Sequence, residues 1–587
     1  MICKIEIALI FLLLFLIIPV ATASEDHLLI KEFYADTQVR NDLDEYIAIH
    51  NPTGRQVDIS GWKLSDLEAN ITFPEGTFIG EDEMIYLTRD AFTFEENNDK
   101  KANFEYGSGE GSTTSKMQGG TIRLRNGGDE IILFNAGGDL IDLVIYGDST
   151  YDGEGWSGDG VGKAYEGAIF RRNDLSDTDM NGDWVQFRDG ELPRSDIQVE
   201  KFEFQGKVTV FVSPDSSYRE VTEAIDDAES SLDICVYEFD NQEIMEHVKR
   251  ALGRGVAVRV LMEGGPVGGI DDEELYIASE IVKAGGTVSF MQGSDGILER
   301  YRYVHAKYMV IDCKSTLVIS ENFKYTGVPV DGSPGNRGWG IIIDDRDVSS
   351  YFSEIFETDY EGRDIIPAEE FFGAVPKKKI QEGDCDPVFR SKVVQGSFTI
   401  IPVVAPDTAT KNETILGLLN SAKKSVYIEQ LYVHKEWGEE PNQYLEAAID
   451  AARRGCEVKI LMDSSWYNVA SNSETVSYVN KIAEVEKLDV EARLKRDDPY
   501  LSKMHTKGMV VDGDKTLITS INWNEDSPVK NREVGVIVTN REVGEYYTEV
   551  FFYDWDAPKE ERPVFIGLVM VIIILGTGMY AINRLKR

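Results

Sequence analysis

Twenty residues occur twice in this chain, two hundred positions apart: VHAKYMVIDCKSTLVISENF at 304–323 and MHTKGMVVDGDKTLITSINW at 504–523. In both, Lys follows His by two positions, Asp comes five later, and Ser and Asn recur at shared offsets. Self-similarity at a fixed spacing means one supersecondary unit used more than once. The match extends outward. ALGRGVAVRVLMEGG (251–265) lines up with AARRGCEVKILMDSS (451–465), each a helix end, a Gly turn and a buried strand closing on an acid. Downstream, NRGWGIIIDDRDVSSYFSEIFETDYE pairs with NREVGVIVTNREVGEYYTEVFFYDWD. The pattern predicts two copies of one α/β domain, 205–365 and 397–556, separated by a polar linker, 366–396, that contains PKKKIQEGDCDP.

Within YVHAKYMVID and KMHTKGMVVD the spacing predicts strands, on which residues two apart share a face. His305 and Lys307 then project together, as do His505 and Lys507. Asp-Gly at 512–513 predicts a hairpin that returns Ser520 and Asn522 toward the second pair, and the same is expected of Ser320 and Asn322. Each half thus offers an imidazole, an ammonium and two neutral hydrogen-bonding groups. No Cys or His cluster has metal-ligand spacing. Two imidazoles and two cations suit cleavage of a phosphodiester: the cations neutralise the phosphate, one imidazole attacks phosphorus and the other protonates the departing oxygen.

His305-x-Lys307-x4-Asp312 and His505-x-Lys507-x4-Asp512, each followed by Ser-x-Asn, resemble the paired HKD motifs of the phospholipase D superfamily. The resemblance spans both halves. It implies a pseudo-dimeric α/β fold with one active site at the interface of the halves, a covalent phosphohistidine intermediate and no metal or other cofactor. It makes His305, Lys307, Asn322, His505, Lys507 and Asn522 the reacting or phosphate-holding residues. Asp312, Asp512, Ser320 and Ser520 are supporting, the two aspartates as turn anchors. It also implies a carboxylate downstream of each motif that hydrogen-bonds the catalytic His. Glu533 in NREVG matches it, whereas Gly338 stands at that place in NRGWG. Glu533 is therefore expected beside His505, where a carboxylate favours the imidazolium and raises the pKa. His305, with no matching acid unless Asp331 folds back, is expected to be neutral. That makes His305 the nucleophile and His505 the general acid. The first half also departs at Ile319, where the second has Thr519, a change expected to tighten its pocket.

The basic residues Arg300, Arg302, Arg493, Lys495, Arg496 and Lys503 cluster around the motifs and predict a local anion site. The whole chain is otherwise acidic, with 60 Lys and Arg against 103 Asp and Glu and a net charge of −43. Such a surface argues against broad nucleic-acid binding, which rests on many cationic contacts to phosphates. Of five Cys, Cys235 and Cys456 read as core residues, and a Cys313–Cys385 bridge stays open.

The N-terminal region reads differently. DEYIAIHNPTGRQVDISGWKLSD (44–66) and GDEIILFNAGGDLIDLVIYGD (128–148) are short alternating strands broken by Gly, Asn and Asp. This predicts an all-β immunoglobulin-like sandwich. The stretch EYIAIHNPTG…DISGWKLSD resembles the lamin tail domain, which implies a binding or spacer module with an unidentified partner over 26–195. His50 there reads as a strand-end residue. DTDMNGD (177–183) has the alternate acids of a calcium loop but Arg188 at the twelfth position, so an Asx-type turn competes with that reading.

The two ends predict export and anchoring. Residues 1–23 have Lys4, an apolar run and Ala21-Thr-Ala23, a signal-peptide pattern, with an uncleaved anchor as the alternative. PVFIGLVMVIIILGTGMYAI (563–582) has the length of a C-terminal transmembrane helix, and NRLKR (583–587) places the tail in the cytoplasm. Sequons at Asn70 and Asn412 suit an exported chain. The expectation is a single-pass membrane protein with an extracellular phosphodiesterase of phospholipase D type. Phospholipid is the favoured substrate, with an extracellular nuclease and a non-catalytic adhesion protein as alternatives.

Overall fold

The computed structural model describes residues 27–98, 100–107, 113–164, 167–173, 177–188, 197–294, 296–381, 383, 386–438 and 440–556. The signal at 1–23, the apolar run at 563–582, the tail at 583–587 and Cys385 lie outside these residues. Among the described residues no helix is long and apolar enough to cross a membrane. The chain divides into two compact units, 1–194 and 195–587.

The N-terminal unit is a β-sandwich. One sheet has seven strands, the other five. Alternation puts Phe33, Ile47, Ile49, Leu64, Ile131, Leu133 and Val144 into the space between the layers, where they share one core. The extension belongs to this unit, since Ala168–Arg172 pairs with Leu29–Tyr34 and then with Trp184–Arg188. A short helix, Ala91–Asn97, interrupts the all-β pattern, capped by the Asp90 carboxylate on the Thr93 amide. His50 ends the strand Tyr46–His50 and bonds Asp82. The 177–183 loop is built around a buried cation. The Arg172 guanidinium takes Asp142, Asp177 and Asp183, and Asp177 also takes His27, so two acids of the would-be calcium loop point at arginine.

The second unit is held by one sheet of sixteen strands, fifteen in a continuous path and one, Leu501–Met504, paired off that path with Gly335–Asp344. Its order in the first half runs inward as Ile365–Pro367, Thr287–Met291, Ala257–Glu263, Ser231–Val236, Lys307–Ile311, Ser315–Ile319, Gly335–Asp344 and Phe202–Ser213. The second half repeats this outward as Lys392–Ala405, Glu533–Thr539, Lys515–Thr519, Lys507–Val511, Ser425–Gln430, Glu457–Met462 and Val490–Leu494. The strands rich in Val and Ile are covered on both faces by helices and read as continuous apolar runs for that reason. The halves join through nine antiparallel pairs, from Phe202–Ile400 to Val210–Lys392. Both central strands begin earlier than the repeat predicted, at 202 and 392, because this ladder recruits the residues flanking each copy. Matching helices close the halves: Arg346–Tyr360 is capped by Asp345, and Arg541–Trp555 by Asn540.

The hairpin expectation holds in geometry. Asp312 and Cys313 in one half, and Asp512 and Gly513 in the other, turn the chain with left-handed φ values of 49–75°. Each motif aspartate then anchors the neighbouring strand. Asp312 accepts the amides of Glu229, Ser230 and Ser231, and Asp512 those of Lys423, Lys424 and Ser425. Ser320 and Ser520 exchange hydrogen bonds with the next strand, at Trp339 and Val534, and do not face the site. Ile319 packs in the hydrophobic core with Phe211 and Val236, so it tightens no pocket.

Candidate active site

Each His-Lys motif is held by the opposite half. The residue before His305 bridges in parallel to Arg532, and the His305 amide donates to the Arg532 carbonyl at 2.8 Å. In the other half Leu501–Met504 runs parallel to Gly335–Arg337, and the His505 amide donates to the Arg337 carbonyl at 2.9 Å. Both arginines are fully buried in ion networks: Arg337 with Asp215 and Asp554, Arg532 with Asp359 and Asp407. Removing one member would strand a buried charge, so these networks fix the backbone that carries the histidines. The acids ending two buried strands help. Glu263 accepts the Val304 amide and Asp463 the Met504 amide, each one residue before a catalytic His.

The carboxylates cross over. Glu533 Oε2 lies 2.8 Å from His305 Nδ1, in the opposite half, and not beside His505 as expected. The sequence offset misled because the imidazoles reach across the interface, where the nearest strand belongs to the other copy. His505 has its own acid, Glu321 Oε1, 3.0 Å from Nδ1. Glu321 is the unspecified residue of Ser320-x-Asn322, and sequence reasoning passed over it. Its side chain fills the room left by Gly338: a Cβ there would fall 2.5 Å from Glu321 Oε1. The second half does the opposite, with Ile521 buried at the matching x position and Glu533 where Gly338 would be. Asn336 and Asn531 hold the two carboxylates, at 3.1 and 3.0 Å, and Ser527 donates to Glu533. Asp331 takes no part, since Glu533 occupies His305 Nδ1.

Lys307 and Lys507 are fully buried, and each donates its ammonium to the carbonyl of its own motif His. Lys307 also lies 5.3 Å from the centre of the Tyr237 ring, which packs edge-on against His305 at 4.8 Å. Asn322 donates to Glu238, and the side-chain carbonyls of Asn322 and Asn522 are buried without a hydrogen bond.

Burial lowers the pKa of His305 to about 4, with Lys307 and Lys507 adding to it against the pull of Glu533. Burial also drives His505 far down, reinforced by Lys507, Lys503 and Lys307. The rise expected at His505 is reversed: burial first, then the cations around it, favour its neutral form. Burial lowers Lys307 to about 8 and also drives Lys507 well down, where Lys307 adds to the effect. The two carboxyls differ. Burial lifts Glu321 to about 7, whereas for Glu533 burial is overcome by His305 and Lys307, which keep it ionised.

The broader basic cluster does not converge here. Arg300 is buried against Asp364, Arg302 pairs with Asp526, and Arg493 pairs with Glu491. Lys503 is the outer cation whose charge reaches His505 and Lys507. The carboxylates close enough to share an ion among the described residues, Glu68, Asp129 and Glu130, belong to the N-terminal unit.

The assembled site is two imidazoles, each fixed at Nδ1 by an acid with Nε2 left for chemistry, beside two buried ammonium groups. Residues 221–360 and 415–555 match the family described as cardiolipin synthase, PLD-like domain, and residues 21–148 match the lamin tail domain. The chain belongs to the phospholipase D superfamily, with two PLD-like domains in tandem behind a lamin tail domain, and is a phosphodiesterase-type enzyme of that superfamily. Among known proteins it is similar to a phospholipase D of Rickettsia bellii, 25% identical over 174 residues, covering 30% of this chain and 74% of that one. Two solved structures are also similar. Phosphatidylserine synthase of Haemophilus influenzae is 13% identical over 59% of this chain and 86% of its own, with a TM-score of 0.45. The phospholipase D family member Nuc of Salmonella typhimurium is 20% identical over 27% and 95%, with a TM-score of 0.23.

Proposed function

We propose that the enzyme cleaves or exchanges the headgroup of a membrane phospholipid, from the outer face of the membrane that anchors it. The observation that carries the substrate class is the position of the last helix. Trp555, at its end, packs in one cluster with Met504 and Leu461, next to His505. The apolar run begins at residue 563, and eight residues stretch at most ~28 Å. A bilayer spanned by that run keeps the site near lipid headgroups, and the basic tail after it supports an exterior catalytic unit.

His305 is the nucleophile and His505 the general acid, now on a different ground. The ionised Glu533 at Nδ1 stabilises the positive charge that His305 acquires when Nε2 bonds phosphorus. His505, protonated as the anionic phosphate binds, gives its Nε2 proton to the departing headgroup oxygen as the bond from phosphorus to that oxygen breaks, and returns to neutral imidazole. Water, or an acceptor alcohol, then attacks the phosphohistidine, with His505 taking the proton. Lys307, Lys507 and the Asn322 and Asn522 amides hold the non-bridging oxygens.

The full chain in phosphatidylcholine vesicles with EDTA present should release choline, or form phosphatidyl alcohol when ethanol is supplied. Cleavage of single-stranded DNA under those conditions, with no headgroup release, would replace this reading with the nuclease one. Protease added to intact cells should digest the catalytic unit, and full protection would overturn the exterior placement.

A further inference from the structure

Two loops occupy pseudo-symmetric places, each leaving the acid that binds the residue before a motif His, and both present apolar side chains to solvent. The first follows Ala257–Glu263 and reads Gly264-Gly-Pro-Val-Gly-Gly269. Gly268 and Gly269 turn it with φ of 104° and 81°, conformations glycine adopts without strain. Val267 at its tip is 79% exposed. The Val267 amide donates to the hydroxyl of Tyr237, the ring packed on His305, so the loop is tied to the nucleophile's surroundings. The second follows Glu457–Met462 and carries Trp466, 86% exposed, and Tyr467, 49% exposed, packed edge to face at 5.5 Å. The Tyr467 hydroxyl accepts from Lys503, whose charge reaches His505.

Exposed single hydrophobics are ordinary, but paired tips beside a catalytic mouth are not scattered. Tryptophan and tyrosine favour the water–lipid boundary, where the ring is apolar and its N–H or O–H stays wet. We propose that Val267, Trp466 and Tyr467 form a docking rim that seats the catalytic mouth on the headgroup region of a phospholipid bilayer. The proposal rests on the phospholipid reading above. Three further observations select a bilayer over other occupants. Lys503 donates to the Tyr467 hydroxyl behind the aromatic tip, a cation suited to a lipid phosphate. The last helix ends in a cluster with Met504, and the apolar run begins eight residues further along the chain, a reach of at most ~28 Å. The opposite tip is aliphatic, which inserts among acyl chains but offers no face for a nucleobase to stack on.

The apolar run contains no tryptophan, so tryptophan quenching from within the bilayer reports on the folded units alone. The full chain is reconstituted in phosphatidylcholine brominated at acyl positions 6 and 7. Native protein should be quenched relative to unbrominated vesicles, and Trp466→Phe should lose that quenching. Val267→Trp in the Trp466→Phe background should regain it from the other side of the mouth. Equal quenching in native protein and Trp466→Phe, or none in either, would overturn the rim. So would quenching of Trp466 by oligothymidylate with no response to bromolipid. Because the readout needs no turnover, headgroup release without quenching would reject the rim and keep the phospholipid reading. Quenching without headgroup release would do the reverse.

Discussion

His305 and Glu533 come from opposite copies of the repeat, yet their side chains meet, Nδ1 to Oε2, at 2.8 Å. The same exchange runs the other way between His505 and Glu321. Neither half holds a complete His–carboxylate pair, so the two copies build one shared arrangement and not two separate ones.

Glu321 and Gly338 act as a unit. Gly338→Ala should displace the Glu321 side chain, and Glu321→Gln should leave His505 poorly oriented. Each is expected to lower kcat by about a hundredfold, the scale of general acid–base assistance. Copying the second half into the first, Glu321→Ile with Gly338→Glu, should recover much of that loss. Steady-state kinetics on a soluble aryl phosphodiester would decide it, and a double variant no better than either single would count against the pairing.

Anion binding should take up protons. In the free enzyme burial and mutual repulsion keep His305, His505 and Lys507 depleted of protons, and a bound phosphate anion favours their charged forms. Calorimetry of tungstate binding at pH 7, in buffers of different ionisation enthalpy, should show net uptake. Affinity should fall as pH rises. Lys307→Met should reduce both effects.

Asp312 should matter for stability and not for chemistry. Burial alone would raise its carboxyl, but the amides of Ser231, Ser230 and Glu229 bring it down to about 2. A folded pKa below the unfolded value of about 3.9 adds stability above that value. The contribution, on the order of 2 kcal/mol, is lost as pH falls from 4 toward 2. Asp312→Ala should lower the unfolding midpoint at pH 7 while leaving turnover per folded molecule unchanged.

The covalent step assigns the two histidines. With a good leaving group, His505→Ala should accumulate phosphate label on His305, since departure no longer needs the acid and breakdown lacks its base. Label on His505 in a His305→Ala variant, and none in the reverse case, would invert the roles.

Much of this site was legible in the sequence, and what was not has a common cause. Period-two alternation put each His and Lys on one strand; the strands in fact begin at Lys307 and Lys507, just after the histidines, though Tyr237 touches both His305 and Lys307. Asp-Gly at 512–513 marked the turn. Those are properties of one strand or one hairpin. The carboxylate crossover depends on which strand of the other copy lies against a motif, and spacing along the chain does not encode that. A signal did exist: the acid absent at 338 is present at 321, and the acid present at 533 is matched by Ile521. Read together, the two departures describe one displaced side chain. The basic cluster failed for a related reason. Arg300, Arg302 and Arg493 are neighbours of the motifs in sequence, but Asp364, Asp526 and Glu491 claim them in space.

The central ladder, nine pairs between 202–210 and 392–400, has a consequence for how this enzyme could be divided. The covalent link between the copies runs at the periphery, through 368–391, while their mutual grip lies in the middle of the sheet and in the exchanged carboxylates. A nick near 378 would sever the chain without separating the copies. The two pieces, expressed apart, should behave as complementation fragments: each inert alone, with activity on encounter.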